Sequence, residues 1–346
     1  MGAPHQIVKE RVYTVVDDIT SSYLAVFTSA LLDELTGAPV RAIVSLRADL
    51  PGISMRQADG ALIAGAAYPE LVLPDLATQA YSFHVLAIAP GYRDASLTVN
   101  IPAGSSLPVA IAPLIMRRTP VRLQGRVVKV SDRSPIGSAT VFGTDHKHLL
   151  LRTPLRFSHA GGVTVNAISL SNTGSVRKLK TAAPRGTIQI VVDNSGGLGP
   201  GDHLQLGSDI AAEIYEVNVM GPDPGEVQLT AVIASSFAKD TAVQQVTAAG
   251  PTGMSTLARS ADVGDGSLVV LSALNDSGVE VSDGAATELH WLNAISGSDG
   301  YYRVNAVAGI RSMDVSCSAA SFTTAVQSWF PEYSDPINVI DFRLKP

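Results

Sequence analysis

Cysteine is almost missing: Cys317 stands alone in 346 residues. One thiol excludes an intramolecular disulfide framework and any zinc or iron–sulfur site that draws several cysteines from one chain. Charge is scarce too. Asp, Glu, Lys and Arg make up 16% of the chain, with a net charge of −6, so the basic surface that grips phosphates is lacking and nucleic acid is not an expected partner. No run of about 20 apolar residues occurs, so membrane insertion is not expected. In MGAPHQIVKERVYTVVDD, Lys9, Glu10 and Arg11 stand where a signal peptide is apolar. The expectation is synthesis in the cytoplasm, with any role outside reached by lysis, a leaderless route or membership of a particle. Gln6 replaces the Ser or Thr that a myristoylated Gly2 requires.

Catalytic signatures are missing as well. None of His5, His84, His146, His148, His159, His203 and His290 has Glu three residues later, so the His-x-x-Glu zinc motif is absent. No Gly-x-Ser-x-Gly elbow, P-loop or Rossmann glycine pattern occurs. NSGGLGPGD is rich in glycine, yet it joins strands and lacks the Lys-Ser/Thr and helix that hold phosphate. No enzyme and no cofactor are expected. Helical periodicity never lasts beyond about two turns, with DLATQAYSF and TSALLDELTG the only candidates, and the fold class predicted is all-β.

What the chain does contain is strands and turns. YLAVFTSALLD leads through TGAP into VRAIVSLR, where Val40, Ala42, Val44 and Leu46 alternate with Arg41, Ile43, Ser45 and Arg47. Ile43 breaks the pattern. A loop with Asp59 and Gly60 follows, then YSFHVLAIAP, the turn at Pro90, Gly91 and Tyr92, and SLTVNIP; SLPVAIAPLIMR closes this unit near residue 118. VRLQGRVVKVSDRSPIGSATVFGT begins a second unit of the same order. Its other half returns as SGSDGYYRVNAVAG, MDVSCSAASFTTAVQSW and PINVIDFRLKP. The predicted organisation is an arm over residues 1–20, a β-sandwich over 21–118, a second sandwich from 119–145 plus 263–346, and an inserted β module over 146–262. The arm carries His5, Asp17 and Asp18 besides the charges above, and either adds a strand to a neighbour or frays. Within the insertion, residues 149–167 echo 226–246, which suggests two related pieces; SNTGSVRKLKTAAP between them reads as a flexible loop.

Gly37 and Pro39, Asp59 and Gly60, and the phrase Ala89-Pro90-Gly91-Tyr92 occur in the order found in the carboxypeptidase regulatory-like domain, a transthyretin-like seven-stranded sandwich that this part of the chain resembles. Pro135, Ala139, Val141, Asp299, Gly300, Tyr301 and Val304 carry a weaker second copy, with AASFT in place of the Pro-Gly-Tyr turn. The turn residues then have structural roles: Pro90 fixes φ, Gly91 permits a positive φ, and Tyr92 tucks back on the sandwich edge. GDHLQLG, AEIYEVN and GEVQLTAVIASSFAKDTAVQQV resemble a small β module of viral and phage-tail-like structural proteins.

Four residue groups are candidates for chemistry, each beside a plainer reading. His146 and His148 would share one face of a strand and, clustered with Asp145, suit zinc or nickel, or the three belong to a solvated turn. His159 in FSHAGG is a catalytic histidine without a nucleophile motif, or a loop hydrogen-bonder. Asp202, Asp209, Glu213 and Glu216 offer oxygen ligands for calcium, or a solvated face. Tyr301, Tyr302, Trp329, Phe330 and Tyr333 form a platform for an interface or a sugar, or pack the last strands. No catalytic, metal or cofactor residue is assigned. The resemblances imply a non-enzymatic component of a phage tail or phage-tail-like contractile injection particle, a homo-oligomer contacting further particle subunits. A carbohydrate-binding or adhesin surface protein, with a host-surface glycan as partner, is the alternative.

Overall fold

The computed structural model describes residues 12–16, 19–47, 53–58, 61–66, 73–208, 212–284 and 287–346. Asp59, Gly60, Asp209 and residues 1–11, 17 and 18 of the expected arm lie outside the described residues. Every regular element among the described residues is a strand, so the protein is all-β. The chain divides into two units, Met1–Thr119 and Pro120–Pro346.

The first unit holds β1 (Val12–Val16), β2 (Ile19–Asp33), β3 (Ile43–Arg47), β4 (Ser54–Ala58), β5 (Ala61–Ala66), β6 (Tyr81–Ile88), β7 (Ala95–Ile101), β8 (Val109–Ala110) and β9 (Leu114–Met116). One sheet runs β1-β2-β5-β4, with β8 and β9 parallel to β2; the other runs β3-β6-β7. Strict alternation in YSFHVLAI buries Phe83, Val85 and Ala87 and exposes Ser82, His84, Leu86 and Ile88. Phe83 meets Phe27 of the other sheet at 6.1 Å between ring centroids, in a core with Leu31, Leu62, Val99, Ile101 and Met116. Val12–Val16 pairs with Ile19–Tyr23 of its own chain, which corrects the expected arm at these residues. Closing a hairpin on the adjacent strand costs less chain entropy than recruiting a second molecule.

Both turn motifs converge on one carboxylate. Gly37 takes φ 66° in TGAP and Gly91 takes φ 78° before Tyr92, a region only glycine enters freely. Asp33, 2% exposed, accepts hydrogen bonds from the Leu35 and Thr36 amides (both 2.9 Å), from Tyr92 Oη (2.6 Å) and from Arg118 Nε (2.8 Å). Burial pushes its pKa up, but the hydrogen bonds from Tyr92, Thr36 and Leu35 outweigh burial and hold it below the usual carboxylate range. Tyr92→Phe should therefore destabilise the protein by about 2 kcal/mol, the scale of a hydrogen bond to a charged group. Thermal unfolding indistinguishable from wild type would refute that role for Tyr92.

The second unit opens with β10 (Val121–Lys129) and β11 (Thr140–Gly143). It continues through an insertion of β12 (His148–Leu150), β13 (Thr164–Lys178), β14 (Gln189–Val191), β15 (His203–Leu206), β16 (Glu213–Met220), β17 (Glu226–Leu229), β18 (Ala242–Thr256), β19 (Ser267–Val269), β20 (Gly278–Ser282) and β21 (Thr287–Trp291). It closes with β22 (Ala294–Ile295), β23 (Tyr301–Val307), β24 (Met313–Ser318), β25 (Ala325–Trp329), β26 (Ile337–Val339) and β27 (Phe342–Leu344).

Strands β10, β11 and β22–β27 repeat the topology of the first unit. β10 takes β23 antiparallel and β26 and β27 parallel, as β2 takes β5, β8 and β9, while β11-β24-β25 form the opposing sheet. The turn repeats too. Arg133 at φ 58° stands where Gly37 stands, and the amides of Arg133, Lys129 and Ile136 bond to Lys129, Ser134 and Val127 as those of Gly37, Asp33 and Val40 bond to Asp33, Ala38 and Leu31. Tyr302, Phe342, Leu123 and Cys317 fill the core. Burial pushes the Cys317 thiol up to about 12, leaving a small core group and no nucleophile.

The insertion is longer than predicted. β12 pairs with β19, and β13 pairs with β20, which pairs with β21, so residues 263–291, assigned above to the second sandwich, complete the inserted element. The partners β12 and β13 of β19 and β20 lie more than about a hundred residues upstream and leave no local mark in the sequence. Ser171–Lys178, read above as a flexible loop, is strand: β13 runs on to Lys178 alongside β18.

Candidate functional site

The insertion is two copies of one module, exchanged about the β13–β18 pair in the sheet order β14-β17-β16-β15-β18-β13-β20-β21. In one copy Leu155 bonds to Asp265, His159 and Ala261 bond reciprocally, and Gly162 bonds to Leu257; in the other Ile233 bonds to Thr187, Phe237 and Ala183 bond reciprocally, and Asp240 bonds to Leu179. Each copy has its own core, one around Leu151, Leu155, Val165 and Val279, the other around Leu179, Leu204, Leu229 and Ile233. The long strands begin in one core and end in the other, so neither copy is complete without the other's chain.

Equivalent positions expose a chemical difference. Phe237 corresponds to His159, and by register Glu213 and Tyr215 correspond to Glu288 and His290. In the second copy Tyr215 Oη donates to Glu213 (2.6 Å) and accepts the Ala234 amide (2.8 Å). In the first copy two imidazoles replace the aromatic rings, and a charged centre results.

Glu288 is that centre. Its side chain and that of His159 are 0% exposed, and that of His290 is 1% exposed. The carboxylate only accepts, so each imidazole presents Nε2–H: His159 donates at 2.8 Å and His290 at 2.9 Å. The Arg156 and Phe157 amides add bonds at 2.8 and 3.3 Å. Arg156 Nε stands 3.6 Å away, while its Nη1 donates to Ile214 O (2.8 Å) and its guanidinium lies 4.5 Å from the Tyr215 ring centre. Arg156 thus joins the two copies. His290 Nδ1 meets Thr153 Oγ1 at 3.2 Å, and His159 Nδ1 lies 3.4 Å from Asp283 Oδ2 without a hydrogen bond. Burial pushes the Glu288 pKa up, but the hydrogen bonds from His159 and His290 and the charges of His290 and Arg156 outweigh it and hold the group well below the usual glutamate range.

Both Glu288 oxygens are engaged, Oε1 by His159 and the Phe157 amide and Oε2 by His290 and the Arg156 amide. The cavity beside Arg156 and Tyr215 measures about 70 Å³, far below the several hundred Å³ of a ligand pocket. His159, singled out in the sequence, is buried and donates to Glu288; Glu288, His290 and Arg156 were missed. The signal was present, since aligning FSHAGG with SSFAKD puts a histidine where the sibling copy has phenylalanine.

The other candidates disperse. Asp145 caps the Lys147 and His148 amides and accepts from His148 Nδ1 at 2.7 Å, while His146 turns away to stack on Phe142. Asp202 bonds to the Gly199 amide, Glu213 is buried against Tyr215 and Glu216 is exposed on the opposite face of β16, so the described members of the calcium set do not converge. Among the described residues no group of three or more His, Cys, Asp or Glu is arranged to hold a metal ion. The aromatic set is corrected: Tyr302, Trp329 and Tyr333 are buried and bond to Ile340 O, Asn338 Oδ1 and Ile310, and Tyr301 bonds to Gln124. Their polar tips are used in closing the second sandwich. Phe330 alone stands out, 72% exposed.

Fold and site together define an all-β protein of two like sandwiches, the second carrying a fused pair of modules with a buried ionic centre at Glu288. No family model matches the chain, and no curated protein does. Among solved structures it overlaps a variant of BcpA, the major pilin subunit of Bacillus cereus, at 8% identity and a TM-score of 0.18, covering 92% of this chain and 98% of that one. It overlaps the Bacillus anthracis TIE protein at 8% identity and a TM-score of 0.21, covering 94% of this chain and 52% of that one. Overlaps this loose carry no inference about role.

Proposed function

We propose that the protein is a non-enzymatic structural component of a multi-subunit assembly, a phage tail or phage-tail-like contractile injection particle, in which it serves as a collar, terminator, baseplate or fibre-attachment element. The observation that supports this reading is the open edge at β25. Its sequence, AVQSW, has no charge and no proline, it ends its sheet, Val326 is 53% exposed and Phe330 follows directly. An edge without charge or proline is a template for strand addition, and exposed apolar groups beside it add contact area. Further copies of the chain and other particle subunits are the proposed partners, in a virion or extracellular particle.

Two substitutions test it. Val326→Lys with Phe330→Ser should leave thermal stability within about 0.5 kcal/mol of wild type, because both sites are exposed, while removing the protein from particles sedimented from the producing cells. Wild-type protein that stays monomeric in the supernatant refutes the assembly reading. A second reading, a carbohydrate-binding or adhesin surface protein, would be favoured instead by saturable binding on a glycan array.

A further inference from the structure

Strand β25 is paired on one side only. Its partner is β24, in register from Cys317↔Ala325 to Met313↔Trp329, and among the described residues no backbone group from Ala325 to Phe330 bonds outside that ladder. Cover from the chain's own end stops at Thr323, whose amide donates to Lys345 O at 2.7 Å. Gln327 points its side chain inward, Nε2 donating to Asp341 O at 2.6 Å, and Trp329 on the same side is buried. Alternation therefore puts Val326, Ser328 and Phe330 together on the exposed face. The equivalent edge of the first sandwich, β7, shows Ser96, Thr98 and Asn100 there, with no apolar pair left to cover.

The composition of β25 selects its occupant. With no charge on the strand, a second copy of it can approach without like-charge repulsion. Laid antiparallel to itself with Ser328 opposite Ser328, the strand sets Val326 of each copy directly across from Phe330 of the other, an aromatic and β-branched pair formed twice. Both exposed apolar groups are then covered by one register. Pro331, which has no N–H, ends the ladder just beyond Phe330. The axis itself passes a small neutral residue, because Ser328 Oγ already donates to Asp314 Oδ1 (2.6 Å) of its own chain. We propose that two copies of the chain join through β25 about a two-fold axis at Ser328, their sheets fusing into one. This rests on the reading of β25 as an assembly edge and names the partner of that edge.

Cysteines placed by this register test it. Directly opposed Cα atoms of antiparallel strands lie about 4.5–5.5 Å apart, within disulfide reach, and the native thiol, Cys317, is buried. Full-length Ser328→Cys should cross-link on mild oxidation into a dimer of the chain. Val326→Cys alone should stay uncross-linked, yet couple to Phe330→Cys when the two variants are mixed; this pair carries the test if Ser328→Cys fails to fold. Sedimentation equilibrium of the wild type should show the same dimer. A wild type that is monomeric at every concentration, or cysteines that cross-link in neither pairing, overturns the proposal. Cross-links formed only to other proteins of the sedimented particle overturn it too, while leaving the assembly reading in place. A dimer cross-linked at these positions that never joins a particle upholds the pairing and removes the assembly reading.

Discussion

Glu288→Gln is expected to destabilise the second unit by about 3–5 kcal/mol, because it removes the charge around which a buried set of donors is arranged. Glutamine has the same shape, but its amide nitrogen would face either His159 or His290 and the Arg156 amide, donor against donor. Arg156, 8% exposed, would lose the carboxylate beside it. Urea unfolding should show the loss as a lower midpoint, and a change below about 1 kcal/mol would mean the cluster is incidental. Acid should tell the same story. A glutamate held below its ordinary value of about 4.5 contributes stability that is full above that pH and declines as pH falls towards the folded value. Wild type should therefore lose stability through that acid range, and Glu288→Gln should show a flatter acid limb. Importing the sibling copy's residues, His159→Phe with His290→Tyr, should cost less than Glu288→Gln, since a tyrosine hydroxyl can still donate to the carboxylate.

Gly266→Ala should have a comparable effect at a different place. Gly266 donates to Ala306 O at 2.8 Å and accepts the Leu151 amide at 2.9 Å, so it ties the insertion to β23. A Cβ there would overlap the carbonyl oxygen of Asn305. Backbone meets backbone, and no rotamer can relieve the overlap, so the expected loss is about 3 kcal/mol or more. Limited proteolysis should find new cleavage at residues 144–147 and 292–293, where the insertion joins the sandwich. Cleavage confined to the first unit, or an unchanged melt, would contradict it.

Much of this architecture could be read from residue patterns because it is local. Alternation over YSFHVLAI and the TGAP and DRSP turns each lie inside a few residues, and the echo of residues 149–167 in 226–246 is a likeness of sequence that needs no knowledge of pairing. What escaped reading is non-local. Ser171–Val176 is exposed along the strand, so its polar sequence looks like a loop; only pairing with β18 makes it strand. Glu288 lies 129 residues from His159, and neither carries a motif. The five aromatic residues near the C-terminus were grouped by proximity in sequence, whereas strand alternation and tight turns send four of them inward or along the sheet.

The parallel pairing of first and last strands has a mechanical meaning. In the second sandwich the strand by which the chain arrives, β10, lies beside the one by which it departs, β27. Tension applied to the two ends of such a sandwich pulls these neighbours past each other lengthwise. Their hydrogen bonds are then loaded together, where a hairpin pulled from its open end would unzip one bond at a time. The insertion leaves β11 and returns at β22 through adjoining residues, with Leu151 bridged to Leu292, so it hangs beside that line of force. The second sandwich can thus act as a tensile link, while the paired modules stay unstretched.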